Sequence, residues 1–252
     1  MAIKKVGIFA AIGLIVASSY AGYNARAAIH PAVTEHLDNA RIQAQLGKTS
    51  EAASYAQAML MGGEITVSID YGNTPIKQIE SCDMAVKGAF EMWETALNQD
   101  VKFSRVSFGE KADVKIKFDQ SVKLNNQIVS GYINWSRSVE STIDGPLPRF
   151  KADVFLRTTD PTGKPLQANA MRHTCGHEFG HMFGLDDVKE VGMLMGPINI
   201  KSPVARPNEA EVETVKAIRA ECQSLILAGK RSGTHGQSFD GQCTDEHCSH
   251  KH

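Results

Sequence analysis

The sequence lacks a charge imbalance. Its 252 residues include 27 lysines and arginines and 28 acidic residues, which gives a formal net charge of −1. A chain of balanced charge has no electrostatic preference for nucleic acid or for an anionic membrane surface, so neither partner is expected. The apolar fraction of 42% and the charged fraction of 22% are ordinary for a soluble globular protein. The length suits one or two domains.

The N-terminus lacks an apolar run long enough for a spanning helix, which takes about 20 residues. Lys4 and Lys5 are followed there by the shorter apolar run Val6–Val16 and then by small residues. This order is typical of a secretory signal peptide. We therefore expect residues 1–27 to be a signal peptide and the protein to be secreted, periplasmic or otherwise extracellular. The alternative is an uncleaved segment that anchors the protein to a membrane.

Cysteine is scarce, and its number is odd. Export permits disulfides, but five cysteines leave at least one thiol free or paired between molecules. Cys243 and Cys248 lie close together in a polar tail and are spaced to close a small loop. The sequence predicts no pairing for the other three, which are Cys82, Cys175 and Cys222.

The most informative stretch is HEFGHMFGLDD, residues 177–187. Residues four apart on an α-helix share one face, so His177 and His181 can both reach one metal ion. Zn²⁺ is the metal for which this pair is best known. The carboxylate of Glu178, next to the first ligand, can reach a metal-bound water without binding the metal.

The residues that follow the two histidines extend the pattern. Gly184 can adopt a positive φ, which ends the helix and redirects the chain. That turn brings Asp187 round as a third ligand, with Asp186 as the alternative if the turn differs. His173 lies one turn before His177, but three protein ligands and a water already fill a catalytic zinc site. We expect it to support the site or to be exposed.

Hydrophobic periodicity predicts an α+β fold, in which a twisted mixed sheet packs on two long helices and a further helix follows near the C-terminus. Gly131 is expected to be a bulge or a point of close approach, and Pro146 and Pro148 to interrupt the chain before a strand. The predicted helices are residues 31–46, 49–61, 75–98, 168–183 and one that Asn208 begins with Glu211 as a capping-box partner. The predicted strands are residues 64–70, 101–106, 112–118, 128–135 and 152–157.

Four regions follow from these elements. After the signal peptide, residues 28–62 are a helical N-terminal extension or pro-segment, and residues 63–228 are the main domain. Residues 229–252 are rich in Gly, Ser, His and charge and are expected to be disordered. Metal binding by the histidines and cysteines of this tail is the alternative.

HEFGHMFGLDDVKEVGMLMGPIN resembles the active-site segment of the metzincin clan of zinc peptidases, most closely the matrixin (matrix metalloproteinase-like) family. Leu194-Met195-Gly196-Pro197 is similar to the Met-turn of that family, and residues 89–118 resemble its first helix and the two strands after it. The resemblance covers residues 64–228. It implies a metzincin-like zinc peptidase domain, in which a substrate cleft runs between a sheet edge and the active-site helix and Met195 forms an apolar floor beneath the imidazoles.

This sequence departs from the family at two points. The third ligand of matrixins is usually His, whereas Asp187 occupies that position here, as in a few small secreted metzincins that resemble snapalysin. The Tyr expected after the Met-turn proline is replaced by Ile198-Asn199, which affects the wall of the specificity pocket. No stretch resembles the structural zinc site of the family, and no motif supports the Ca²⁺ that the resemblance allows.

The resemblance implies an exported zinc-dependent metalloendopeptidase with one catalytic Zn²⁺. It implies His177, His181 and Asp187 as ligands and Glu178 as the general base of peptide hydrolysis. The partner is then a protein or peptide substrate, aligned along an edge strand around residues 131–135. Two alternatives remain: a non-catalytic exported binding module that contains a metal, and a protease restricted to one partner or to a cell-wall peptide. The sequence predicts no oligomeric state.

Overall fold

The computed structural model describes residues 27–142 and 145–231. The expected signal peptide therefore lies outside the described residues except for Ala27, as do Cys243, Cys248 and the tail from residue 232 onward. Within the described ranges, no helix is both long and apolar enough to cross a membrane.

The described chain contains five helices and seven strands. The helices are α1 (Pro31–Gln45), α2 (Thr49–Met59), α3 (Ile76–Ala96), α4 (Ala168–Met182) and α5 (Glu209–Arg231). The strands are β1 (Gly63–Asp70), β2 (Val101–Arg105), β3 (Val114–Asp119), β4 (Val122–Leu124), β5 (Gln127–Val129), β6 (Gly131–Thr142) and β7 (Gly145–Arg157). This order confirms the predicted α+β class.

A five-stranded mixed sheet with the order β2-β1-β3-β7-β6 forms one layer. The first four strands run parallel, and β6 runs antiparallel to β7 at the edge. Arg157 donates its amide to the Ser130 carbonyl at 2.9 Å. In this register the even-numbered residues of β6 form hydrogen bonds with β7, and the odd-numbered residues direct their backbone groups away from it. Gly131, Ile133 and Trp135 thus present N–H and C=O groups to the edge.

Helices α3 and α4 pack against each other, and α3 buries one apolar face in the contact. Trp93 of α3 is fully buried, and its indole N–H donates to the Gly176 carbonyl of α4 at 2.8 Å. Phe90, Phe103 and Phe179 stack with ring centroids 4.7–6.0 Å apart and join both helices to β2. Aromatic packing therefore fixes α4 against both α3 and β2. Cys82, Cys175 and Cys222 are free and buried.

The prediction of one strand over residues 128–135 is wrong. Asn125 and Asn126 have φ values of 48° and 64°, which form the turn of a separate hairpin between β4 and β5. A two-residue turn with positive φ at both positions matches the twist of the flanking strands. The chain then enters β6, where the register from Gly131 to Thr142 is continuous, so Gly131 is not a bulge.

The prediction that Pro146 and Pro148 interrupt the chain before the strand is also wrong, because both lie within β7. The Ala152 amide donates to the Asp113 carbonyl at 2.8 Å, which directs the amides of even-numbered β7 residues toward β3. Pairing with β3 extends only as far as Ala152. The two prolines therefore lack an N–H where no strand is present to accept it.

The last helix begins as predicted. The Asn208 side chain accepts from the Glu211 amide at 2.9 Å, and Glu211 accepts from the Asn208 amide at 2.7 Å, which is a reciprocal capping box. Helix α5 continues to Arg231, beyond the expected start of the tail at residue 229. A side chain at Gly229 would begin 2.5 Å from the Ala53 Cβ, so contact with α2 extends this end of the helix.

Candidate metal centre

Two histidines of α4 point their imidazoles to the same place. The Nε2 atoms of His177 and His181 lie 3.2 Å apart, and the side chains are 1% and 0% exposed. The His177 Nδ1 donates to the Leu194 carbonyl at 2.8 Å, and the His181 Nδ1 donates to the Leu185 carbonyl at 3.0 Å, since a carbonyl oxygen can only accept. Both Nδ1 atoms therefore carry hydrogen, which leaves the two Nε2 lone pairs available for a metal.

Asp187 joins the two imidazoles. Its Oδ1 lies 3.1 Å from the His177 Nε2 and 3.5 Å from the His181 Nε2. The three ligand atoms all lie within 4.8 Å of one another, and the Asp187 side chain is 28% exposed. The neighbouring Asp186 instead accepts from the Asp187 amide at 2.9 Å through its Oδ1. The structure thus brings together the predicted triad, and Asp186 is not part of it.

Gly184 makes this convergence possible. Its φ of +97° turns the chain at the end of α4, and the Leu185 amide donates to the Gly180 carbonyl at 3.0 Å. This left-handed residue after the last helical turn is the common way to end a helix. A residue with a Cβ would be strained at Gly184, so glycine determines where Asp187 lies.

The site concentrates negative charge. Burial lowers the pKa of His177, but the hydrogen bond with Asp187 and the charges of Glu178 and Asp187 outweigh it and raise that pKa to about 9. Burial alone would favour the neutral imidazole, so the raised pKa shows that the surrounding carboxylates favour a positive charge at this place. A divalent metal ion would satisfy the same field.

The side chain of Glu178 extends from α4 toward the edge strand β6. It is 1% exposed, and a Cβ placed on Gly131 would lie 3.2 Å from its Oε1. The same Cβ would lie 2.7 Å from the Thr174 Cγ2 and 2.8 Å from the Phe155 carbonyl oxygen. Gly131 is therefore a point of close approach, one of the two roles predicted for it, and it allows β6 to pass directly beside the Glu178 carboxylate.

The turn at Leu194 and Met195 lies beside the two histidines. Both residues are fully buried, and the Met195 sulfur packs against the backbone of α4 at Gly180, where no side chain would fit. The Met195 carbonyl accepts from the Val188 amide at 2.9 Å, which ties the turn to the residue after Asp187. Met195 therefore packs against the helix that carries both histidines, and its role as an apolar floor beneath the imidazoles stays a prediction.

His173 supports this turn. It is fully buried, its Nδ1 accepts from the Val204 amide at 3.1 Å, and its Nε2 lies 3.3 Å from the Leu194 carbonyl. Burial and the nearby His177 lower the pKa of His173 to about 4, despite the Leu194 carbonyl, so the ring is neutral at neutral pH. The His173 ring therefore joins the two ends of the loop formed by residues 194–204. It is not among the three residues whose ligand atoms converge.

Sequence reasoning missed three groups that lie at or near the site. The Leu194 carbonyl orients His177, but a backbone group leaves no signal in a residue pattern. Glu211 was expected only to cap α5, yet its Oε1 also accepts from the Met195 amide at 2.8 Å. His30 lies with its ring centroid 6.3 Å from that of His181, a contact between distant parts of the chain.

The donor set fits one zinc ion. Two imidazole nitrogens and one carboxylate oxygen are ligands of the kind found in catalytic zinc sites, which keep a fourth position for water or substrate. Both imidazoles are oriented through Nδ1 by backbone carbonyls, as is usual for zinc-binding histidines. The partial exposure of Asp187 leaves one side of the triad accessible.

Comparison with known proteins shows which proteins the chain is similar to. The family model described as Matrixin, a peptidase family, matches residues 60–219. Interstitial collagenase from Sus scrofa is 23% identical over 154 residues, which are 61% of this chain and 31% of that protein. The same enzyme from Equus caballus is 24% identical over the same shares. The chain thus spans about a third of the length of these curated relatives.

A solved structure with a related chain trace is archaemetzincin from Methanopyrus kandleri. The match covers 62% of this chain and 95% of that one, with 11% identity and a TM-score of 0.41.

Proposed function

The chain belongs to the matrixin family of peptidases, and from this premise we propose that it is an exported zinc-dependent metalloendopeptidase. One observation carries the proposal. The Nε2 atoms of His177 and His181 and a carboxylate oxygen of Asp187 converge to within 4.8 Å, with Glu178 beside them at the edge of the sheet. The proposed substrate is a protein or peptide.

His177, His181 and Asp187 would hold the zinc ion. When bound, zinc supplies Lewis-acid activation of a water molecule and of the scissile carbonyl. The Leu194 and Leu185 carbonyls accept from Nδ1 of the two imidazoles, which orients the rings and directs both Nε2 atoms inward. Asp187 is an anionic ligand, so it neutralises more of the metal charge than a third imidazole would.

Glu178 is the proposed general base. It is buried next to His177, and its Oε1 faces the start of β6 at Gly131, where an extended substrate would pass. Its carboxylate would take the proton from the attacking water and deliver it to the leaving amine. A site that served only structure would not need this carboxylate.

The edge of β6 is proposed to align the substrate. No strand in the described part of the chain pairs with this edge, and Gly131, Ile133 and Trp135 direct their backbone N–H and C=O groups toward it. An extended peptide that added here as a strand would gain backbone hydrogen bonds independent of its side chains. Its scissile bond would then lie near Glu178.

The proposal is tested with the Glu178→Gln variant of the full chain, with Glu80→Gln on the exposed face of α3 as its matched control. We expect Glu178→Gln to bind zinc like the wild type but to lose at least about 100-fold in cleavage of casein or of a peptide library. Glu80→Gln should retain full activity.

Two outcomes would contradict the proposal. If wild type and Glu178→Gln both bind zinc and neither cleaves any member of the library, the chain is a non-catalytic, metal-containing binding module. If neither protein binds zinc, the metal site itself is wrong. Cleavage of only a few library sequences would instead indicate a protease restricted to one partner.

A further inference from the structure

The N-terminal segment, residues 27–59, contacts the turn from Gly184 to Asp186, which lies between the proposed ligands His181 and Asp187. Ile29 forms an isolated antiparallel bridge with Leu185. The His30 amide donates to the Gly184 carbonyl at 2.9 Å, and the Asp186 amide donates to the Ala28 carbonyl at 2.9 Å. These two bonds lie on either side of the bridge, so the turn from Gly184 to Asp186 is held as a short two-stranded ribbon.

That turn orients two of the three proposed ligands, His181 and Asp187. The Leu185 carbonyl accepts from the His181 Nδ1 at 3.0 Å and so fixes one imidazole. Asp187 follows directly after the hydrogen-bonded Asp186. Any movement of the turn would therefore change the position of the His181 ring and of the Asp187 carboxylate at the same time.

The His30 side chain fills the space beside this turn. It is 6% exposed, and its ring centroid lies 5.6 Å from that of Trp135 and 6.3 Å from that of His181, with edge-to-face geometry in both cases. Its Nδ1 accepts from the Ala32 amide at 3.3 Å and caps α1. His30 therefore links α1 to β6 and to α4, the helix that carries both histidines.

The N-terminal segment is firmly attached to the rest of the fold. Arg41 of α1 makes two hydrogen bonds with the Glu221 carboxylate of α5, at 2.6 and 2.8 Å, and both side chains are nearly buried. Val33 is fully buried, and its Cγ1 would lie 3.3 Å from a Cβ on Gly184. A segment anchored by a buried, bidentate ion pair and by apolar packing shares the cooperative stability of the domain.

We propose that the N-terminal segment is a positioning element of the metal site, which holds the turn between His181 and Asp187, and that it stays on the active protein. Its contacts are with the turn from Gly184 to Asp186 and with α5, as expected for an element that supports the metal site. Loss of a removable pro-segment would instead expose the apolar surface that Val33 covers at Gly184 and would take Arg41 away from the Glu221 carboxylate. This proposal rests on the function proposed above.

Hydrogen exchange tests the coupling in the full, unmodified chain. The His30 amide is not next to any proposed ligand in sequence, but it is bonded to the Gly184 carbonyl. If the segment positions the site, zinc binding should slow exchange at His30 together with exchange at Asp186, because the two bonds form one ribbon. Slower exchange at Asp186 with no change at His30 would overturn the proposal.

Two substitutions at His30 test the same link. The backbone of His30 has φ −56° and ψ 133°, which proline can adopt, so His30→Pro keeps this backbone conformation. It removes the N–H donor and places the ring Cδ against the Gly184 carbonyl, so the bond to Gly184 is broken and the two strands of the ribbon are pushed apart. His30→Ala is the matched control, because it removes the ring and keeps the N–H. We expect His30→Pro to raise the zinc dissociation constant at least about threefold over His30→Ala, since the loss of one hydrogen bond alone accounts for about three- to tenfold.

Exchange at Asp186 in metal-free protein should also be faster in His30→Pro than in His30→Ala. Equal zinc affinity and equal exchange in the two variants would overturn the proposal. Failure of the proposed function has a different signature: the wild-type chain would bind no zinc, or would bind it without peptidase activity. Unfolding of His30→Pro would leave the exchange measurement on the unmodified chain as the deciding result.

Discussion

The Met195 amide donates to the Glu211 carboxylate at 2.8 Å, so the capping residue of the last helix also holds the turn beside the candidate metal centre. Glu211 is fully buried, and its second oxygen accepts from the Asn208 amide at 2.7 Å. One carboxylate thus joins two parts of the chain, and the start of α5 and the turn at Met195 are fixed together.

Removal of this carboxylate should cost more than removal of the cap alone. Asn208→Ala loses one cap and is expected to lower the free energy of unfolding by about 1 kcal/mol. Glu211→Ala also leaves the buried Met195 amide without its acceptor, which adds about 1–3 kcal/mol. Urea unfolding of both variants checks this difference, and equal losses would show that the Met195 contact does not contribute to stability.

The third ligand is tested with adjacent aspartates. Asp187→Ala removes an oxygen that lies 3.1 Å from the His177 Nε2, whereas Asp186→Ala removes a side chain that accepts from the Asp187 amide. We expect Asp187→Ala to lose more zinc affinity than the roughly 10–100-fold typical of supporting groups. Asp186→Ala should lose much less. Competition titration with a zinc-binding dye measures both, and the reverse order would assign the ligand to Asp186.

Gly131→Ala should affect catalysis more than metal binding. The added Cβ would lie 2.7 Å from the Thr174 Cγ2 and 3.2 Å from the Glu178 Oε1, so the base and the edge strand must separate. We expect a loss of about 1–3 kcal/mol in stability. Displacement of the base by about 1 Å should lower the cleavage rate on the order of 100-fold. Zinc affinity should remain close to that of the wild type.

The control for Gly131→Ala is Asn134→Ala, at an exposed position of the same strand. It should retain stability and most of the activity. If Gly131→Ala retains full activity, β6 does not pass as close to the base as the structure places it.

His173 makes stability depend on pH. Its pKa is about 4 in the folded protein, below the ordinary value of 6.5, so the unfolded chain binds the extra proton between these values. Stability from this residue is complete above about pH 6.5 and is lost as the pH falls toward 4, with about 2 kcal/mol of the loss between pH 7 and pH 5.

The non-titrating His173→Gln variant separates this effect from other groups. Urea unfolding of the metal-free proteins at pH 7 and pH 5 should show a smaller loss in His173→Gln than in the wild type. Equal losses in both proteins would mean that His173 is protonated in the folded state at pH 5.

The local parts of the fold were predictable from the sequence. The positions of His177, His181 and Gly184 on a helix and its end follow from the 3.6-residue period and from the freedom of glycine. The capping box of Asn208 and Glu211 is likewise a pattern within four residues. In these cases the chemistry lies within one or two helical turns, where sequence spacing determines distance.

The parts that failed depend on distant partners. The two prolines of β7 are allowed because β3 pairs only as far back as Ala152, which the sequence around the prolines does not show. The bridge from Ile29 to Leu185 joins positions far apart in the chain and leaves no periodic signal. The Asn125-Asn126 pair was a usable local signal, since asparagine accepts positive φ in a two-residue turn.

Pro146 and Pro148 have a further consequence for how copies of the protein meet. The outer part of β7 extends beyond β3 and would otherwise offer a row of unpaired amides to a neighbouring molecule. Exposed strand edges of this kind promote aggregation, and proline is one of the residues that blocks them. By removing donors at alternate positions, the two prolines leave this side of the ribbon unable to continue a regular ladder. The edge of β6 proposed for the substrate therefore stays open, whereas the outer part of β7 does not offer a regular edge to other copies.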